Sequence, residues 1–143
     1  MSRTEKKHPV STWMIAACGV WLVGLGLYFI ALRPSLLPED ARFMGATLAQ
    51  IQEAVPGLER WLQKVFMAMG GFIVSSGVLT VLVATTAMPA RRNGTSWAIG
   101  ISGGFSVALM SVVNFVLYSD FRWLLLVPVL LWLAGLVLYV AKR

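Results

Sequence analysis

The sequence predicts an all-α integral membrane protein, a four-helix bundle with both termini in the cytoplasm. Three observations carry that prediction. Four stretches, 9–32, 65–90, 93–119 and 123–141, hold no charged side chain, and each is long enough to cross a ~30 Å hydrocarbon core at ~1.5 Å rise per residue. Charged residues make up only 13% of the chain, against ~25% in soluble domains. The apolar runs are also unbroken around the helix, where a soluble bundle would give every helix a polar face.

Orientation follows from charge. Arg3, Lys6, Lys7, Arg91, Arg92, Lys142 and Arg143, less Glu5, account for the whole net charge of +6. The other two connections balance Arg33, Arg42, Arg60, Lys64 and Arg122 against Glu39, Asp40, Glu53, Glu59 and Asp120. Basic residues stay on the cytoplasmic side, so the tails and the 88–96 loop belong there, facing anionic lipid headgroups. Nucleic-acid binding needs clustered basic groups interleaved with aromatic platforms, and neither tail has them. The expected spans are 12–32, 65–87, 97–118 and 123–141, within one membrane domain covering 1–143. Trp13, Trp61, Trp97 and Trp123 fall near span ends, where an amphipathic ring prefers the interface; Trp21 and Trp132 lie inside.

In the first span, Ile15-Ala16-Ala17-Cys18 resembles the box that precedes a lipoprotein cysteine. The apolar run continues to Leu32, however, as in an uncleaved anchor. Ala17, Gly24 and Tyr28 offer its small-residue face. The 33–64 connector that follows is too long to lack structure of its own. Pro38-Glu39-Asp40 reads as a helix start, with proline in the first turn and acids at the positive dipole end. Thr47 and Gln50 have capping-box spacing ahead of Leu48, Ile51 and Val55. Pro56 ends that turn and opens another, in which Leu58, Trp61, Leu62 and Val65 lead into the second span. Short amphipathic helices on the outer membrane surface fit this pattern, and a lid or docking cap over the bundle is the alternative.

The second span carries Gly70, Ile73, Gly77, Thr80 and Ala84 on one face. The third carries Gly100, Gly104, Val107, Ser111, Asn114 and Tyr118 at alternating steps of four and three, the 3.5-residue repeat of a packing seam, with Ala108 one turn beyond Gly104. These two helices are therefore expected to pack tightly, leaving the Leu-rich fourth helix more lipid-exposed and slightly bent at Pro128. Asn114 needs a partner inside the membrane: Ser75, Ser76 or Thr80 across the seam, or another chain. Gly100, Gly104, Ser111, Asn114, Tyr118, Gly70, Gly77 and Thr80 thus form a helix-packing face or a ligand face.

No Asp, Glu, Lys, Arg or His lies in a span, which leaves a proton relay or ion path without a carrier. His8 is the single histidine and Cys18 the single cysteine, so paired haem ligation and thiol relays are excluded. No nucleophile–base pair, metal-ligand cluster or phosphate loop appears, and no cofactor is expected. Gly26-Leu27-Tyr28-Phe29-Ile30-Ala31-Leu32-Arg33-Pro34, continuing to Arg42-Phe43-Met44-Gly45, resembles the first-loop pattern of small DoxX-like bacterial membrane proteins of unknown function. The resemblance covers about 20 residues. It implies a four-helix bundle in the bacterial cytoplasmic (inner) membrane and transfers no catalytic residue. Two functions remain open: a non-enzymatic accessory subunit packing with another membrane protein or with its own copies, and a carrier for a lipid or quinone held between helices under the connector.

Overall fold

Helix is the only regular secondary structure among the described residues. The structure, a computed structural model, describes residues 9–142; Arg3, Glu5, Lys6, Lys7, His8 and Arg143, used above for charge and exclusion, lie outside them. The elements are α1 (Val10–Ala31), α2 (Pro38–Met44), α3 (Leu48–Ala54), α4 (Leu58–Thr86), α5 (Thr95–Gly103), a π-helical segment (Gly104–Ala108), α6 (Leu109–Val116) and α7 (Leu126–Ala141). Three helices are long and apolar enough to cross a membrane: α1, α4 and the continuous run Thr95–Val116. Large apolar side chains lie exposed along them, Phe72 at 78% and Phe105 at 76%, as a lipid-facing surface requires.

Local chemistry sets the ends of these elements. In the connector, α2 begins at Pro38, and Asp40 accepts a hydrogen bond from the Leu37 N–H at 2.8 Å; it ends at Gly45, whose φ of 69° is open to glycine. The capping box of α3 forms as its spacing requires, with Thr47 Oγ1 accepting from Gln50 N and Gln50 Oε1 accepting from Thr47 N. After Pro56, α4 begins at Leu58 and runs without a break into the apolar stretch, so the last connector helix and the second span are one helix. The fourth helix starts at Leu126 rather than 123, because 120–125 is a series of turns. Pro128 consequently sits in the first turn of α7, where its missing N–H breaks no helical bond, and the expected bend has no cause.

The packing order differs from the one read off the small residues. Helix α1 lies centrally, packed along α4 on one side and α7 on the other, and α7 in turn packs against α5 and the π segment. Helices α4 and α5–α6 are not close neighbours. The expected tight pairing of the second and third helices is thus replaced by pairing of each with an inner helix, and the fourth helix is an inner one. Backbone contact decides this. A Cβ on Gly19 would sit 2.8 Å from the Gly77 carbonyl oxygen, and one on Gly26 would sit 2.7 Å from that of Gly70. Gly19 and Gly26 on α1 share the seven-residue spacing of Gly70 and Gly77 on α4, so the two antiparallel backbones meet twice. Ala17 and Gly24 instead face outward, and nothing lies near Gly24.

Two apolar clusters complete the interior. Ile15, Ala16, Ala84, Met88, Ile99 and Tyr139 form one, and Cys18, Leu22, Val107 and Val129 the other. Through Ile99 and Val107 the third long helix reaches both.

Candidate functional site

The π segment divides the third long helix into two halves with different surroundings. Its Leu109 N–H reaches the Gly104 carbonyl five residues back, and this wider turn rotates every later side chain relative to an α-helical count. The 3.5-residue repeat from Gly100 to Tyr118 therefore does not stay on one face. Val107 and Ser111 are buried, Gly100, Gly104 and Asn114 are half-buried, and Tyr118 is 71% exposed. Asn114 Nδ2 donates to the Met110 carbonyl of its own helix at 2.9 Å, not to Ser75, Ser76 or Thr80. Thr80 likewise donates to Ser76, and Ser106 to Ser102. These three side chains are satisfied within their own helices, so they do not act as interhelical glue. Gly70 and Gly77 of the expected face are buried against α1.

An interhelical polar contact within the spans comes from Trp132, whose indole N–H donates to the Ile99 carbonyl at 2.8 Å. Gly103 makes room for that ring, since a Cβ there would overlap it. Gly104, by contrast, has nothing near its Cβ position, and Gly100 only Leu136 at 3.8 Å. Beside them Trp97 (75% exposed), Ile101 and Phe105 continue an uncovered apolar face.

At the connector end, α2 is strapped to the turn that joins α6 to α7. Ser119 Oγ and the Asp120 N–H donate to the two oxygens of Glu39 at 3.0 and 2.9 Å. Arg42 donates to the Tyr118 carbonyl at 3.2 Å and pairs with Asp120 at 3.4 Å. Tyr118 has a φ of 51°, a left-handed conformation costly for a bulky side chain, and these contacts hold it. Nearby, Arg33 lies 3.6 Å from the centroid of the Phe66 ring and pairs with Asp40 at 3.6 Å. Between α2, α4 and the end of α6 is a pocket of about 220 Å³ lined by Leu36, Phe43, Met44, Leu62, Phe66 and Leu117 with the already bonded Glu39 and Asp40. A second cavity, of about 360 Å³, separates α6 from the start of α7.

The opposite end repeats the device. Arg91, also left-handed at φ 51°, donates to the Tyr139 and Lys142 carbonyls, and its guanidinium lies 4.8 Å from the Tyr139 ring centroid. A cation thus caps the negative end of α7. Ser11 Oγ, Thr12 Oγ1 and Tyr139 Oη are buried at this end with no hydrogen-bond partner among the described residues. Among the described residues, no three His, Cys, Asp or Glu side chains come together to hold a metal.

Compared with protein-family models, curated proteins and solved structures, the chain matches none of them. What it does is therefore argued from its own residues.

Proposed function

We propose that this chain is a non-enzymatic, four-pass protein of the bacterial cytoplasmic membrane, both termini inside, that serves as a structural or accessory subunit beside another membrane protein or copies of itself. One observation carries the reading: the face of the third long helix bearing Gly104 and the exposed Ile101 and Phe105 has no helix among the described residues against it. Small residues that admit a backbone are what helix association in lipid uses. Membrane lipids are the other constant partner, and the surplus of basic residues assigned to the inner side supports the orientation. The short α7 adds Leu124 and Leu125 from the preceding turn to its apolar length.

Native mass spectrometry of the protein, extracted gently from its host membrane, tests this. A stoichiometric second chain is expected. Gly104→Leu, at a position with open space around it, should leave the fold intact and remove that chain. Retention of the partner by the variant, or a lone monomer from the unaltered protein, overturns the reading.

The second reading, a carrier for a lipid or quinone beneath the connector, is favoured by the apolar pocket between α2, Leu62, Phe66 and Leu117. Glu39 and Asp40 are bonded to protein, which leaves Ser35 as the remaining polar side chain in an otherwise apolar lining for a hydrocarbon. A small apolar molecule lost on Phe43→Ala, with no second protein chain present, is the result that would favour it over the first.

A further inference from the structure

We propose that the cavity between α6 and α7 is the seat of one phospholipid, its acyl chain in the cavity and its phosphate at Arg122. The inference depends on neither reading above, because it needs no second protein chain and does not use the pocket beneath the connector. In its first half that helix runs close to α7; beyond the π segment, α6 has hardly any backbone within 8 Å of α7 or of any other helix. The two elements diverge and leave a slot of about 360 Å³ lined by Ala108, Ser111, Val112, Phe115, Leu126 and Val129.

Size and lining select the occupant. A helix packs at ~8–10 Å between axes and has a diameter of ~10–12 Å with its side chains, so the slot is too small to admit one. A single hydrocarbon chain fits, and in a bilayer the medium at this depth is hydrocarbon. The slot is open on its outer side, with Val112 in its wall exposed, so a hydrocarbon chain can enter and supply dispersion contacts to the lining. Ser111 is the one polar side chain in the lining, too few to orient a ring with two carbonyls.

The mouth of the slot selects the headgroup. Phe115, in the wall, packs edge-on against Trp123 at 5.2 Å between centroids, and the Arg122 guanidinium lies 6.0 Å from the Trp123 ring centroid. An aromatic ring and a cation thus stand on the turn next to Phe115, outside the slot itself, and tryptophan prefers the interfacial depth where a phosphate would lie. Arg122 donates from Nη1 to the Ser119 carbonyl, and the rest of its five-donor fork suits a phosphate.

Native mass spectrometry of the protein in mild detergent, followed by identification of the released lipid, provides the test. One phospholipid per chain is expected. Val112→Trp narrows the slot from an exposed position and should lower that occupancy about tenfold; Ala108→Phe is the second filling variant. Val137→Trp, equally exposed on α7 but outside the slot, should leave it unchanged. Arg122→Ala should weaken retention of phospholipid while the slot remains. Retention unaffected by both filling variants overturns the seat, and a bound quinone indifferent to Arg122→Ala overturns the phospholipid assignment. A protein partner adds the mass of a chain rather than of a lipid, so failure here and failure of the subunit reading appear separately in the same spectra.

Discussion

Glycines with the same amino-acid identity have opposite consequences along α1. Gly26 faces the Gly70 carbonyl at a distance no side chain tolerates, whereas Gly24 faces open space. Gly26→Val should destabilise the protein by about 1–3 kcal/mol, the usual range for overpacking, and Gly24→Ala should be neutral or slightly stabilising through helix propensity. Denaturation of both variants in detergent micelles, followed by tryptophan fluorescence, gives the comparison; equal behaviour would remove the glycine contact as the basis of the α1–α4 pair. Tyr139 poses the reverse case. Its hydroxyl is buried without a partner among the described residues, and an unpaired polar group costs about 1–3 kcal/mol. Tyr139→Phe keeps the ring beneath Arg91 and should raise stability by about 1 kcal/mol or more in the same assay. Asn114 shows what sequence spacing leaves open at this scale. The sequence demanded a partner for the amide, but a carbonyl four residues back on its own helix is always in reach, so no neighbour was implied.

Elements differ in how far their boundaries could be read ahead of the fold. The starts of α2 and α3 were legible because proline, acids and a capping box act within one turn. The start of α7 was not, because an apolar turn at 123–125 carries the same composition as an apolar helix. The π segment left no signal either: Gly104–Ala108 has ordinary membrane composition, yet it voids the heptad count beyond it. The strap between α2 and the 117–125 turn joins residues far apart in the chain, so Glu39 and Ser119 could not be paired in advance. Glu39→Ala removes the acceptor for two of its bonds. Hydrogen exchange should then quicken in 38–44 and 117–125 while the α1–α4 pair keeps its protection; unchanged exchange at those segments would mean that the strap does not hold the connector.

At the scale of the whole molecule, the proposed orientation yields a labelling pattern. The native Cys18 is buried and should stay silent to a membrane-impermeant maleimide. Glu53→Cys, on the connector, should react in intact cells, and Lys142→Cys only after permeabilisation. The opposite pattern would invert the topology. The α-helical class, the apolar spans and the charge asymmetry were all fixed by the sequence, because hydrophobic length and the need to satisfy backbone groups inside lipid depend on composition alone. Which helix stands beside which was decided only by the tertiary structure. Gly70 and Gly77 were recognised as a packing face, but composition gives a small-residue stripe no address. It pairs with whichever partner matches its spacing and lets two backbones meet, and here that partner is Gly19 and Gly26 of α1. The slot beside α6 is likewise a product of the tertiary structure, since it lies where α6 and the start of α7 stand apart.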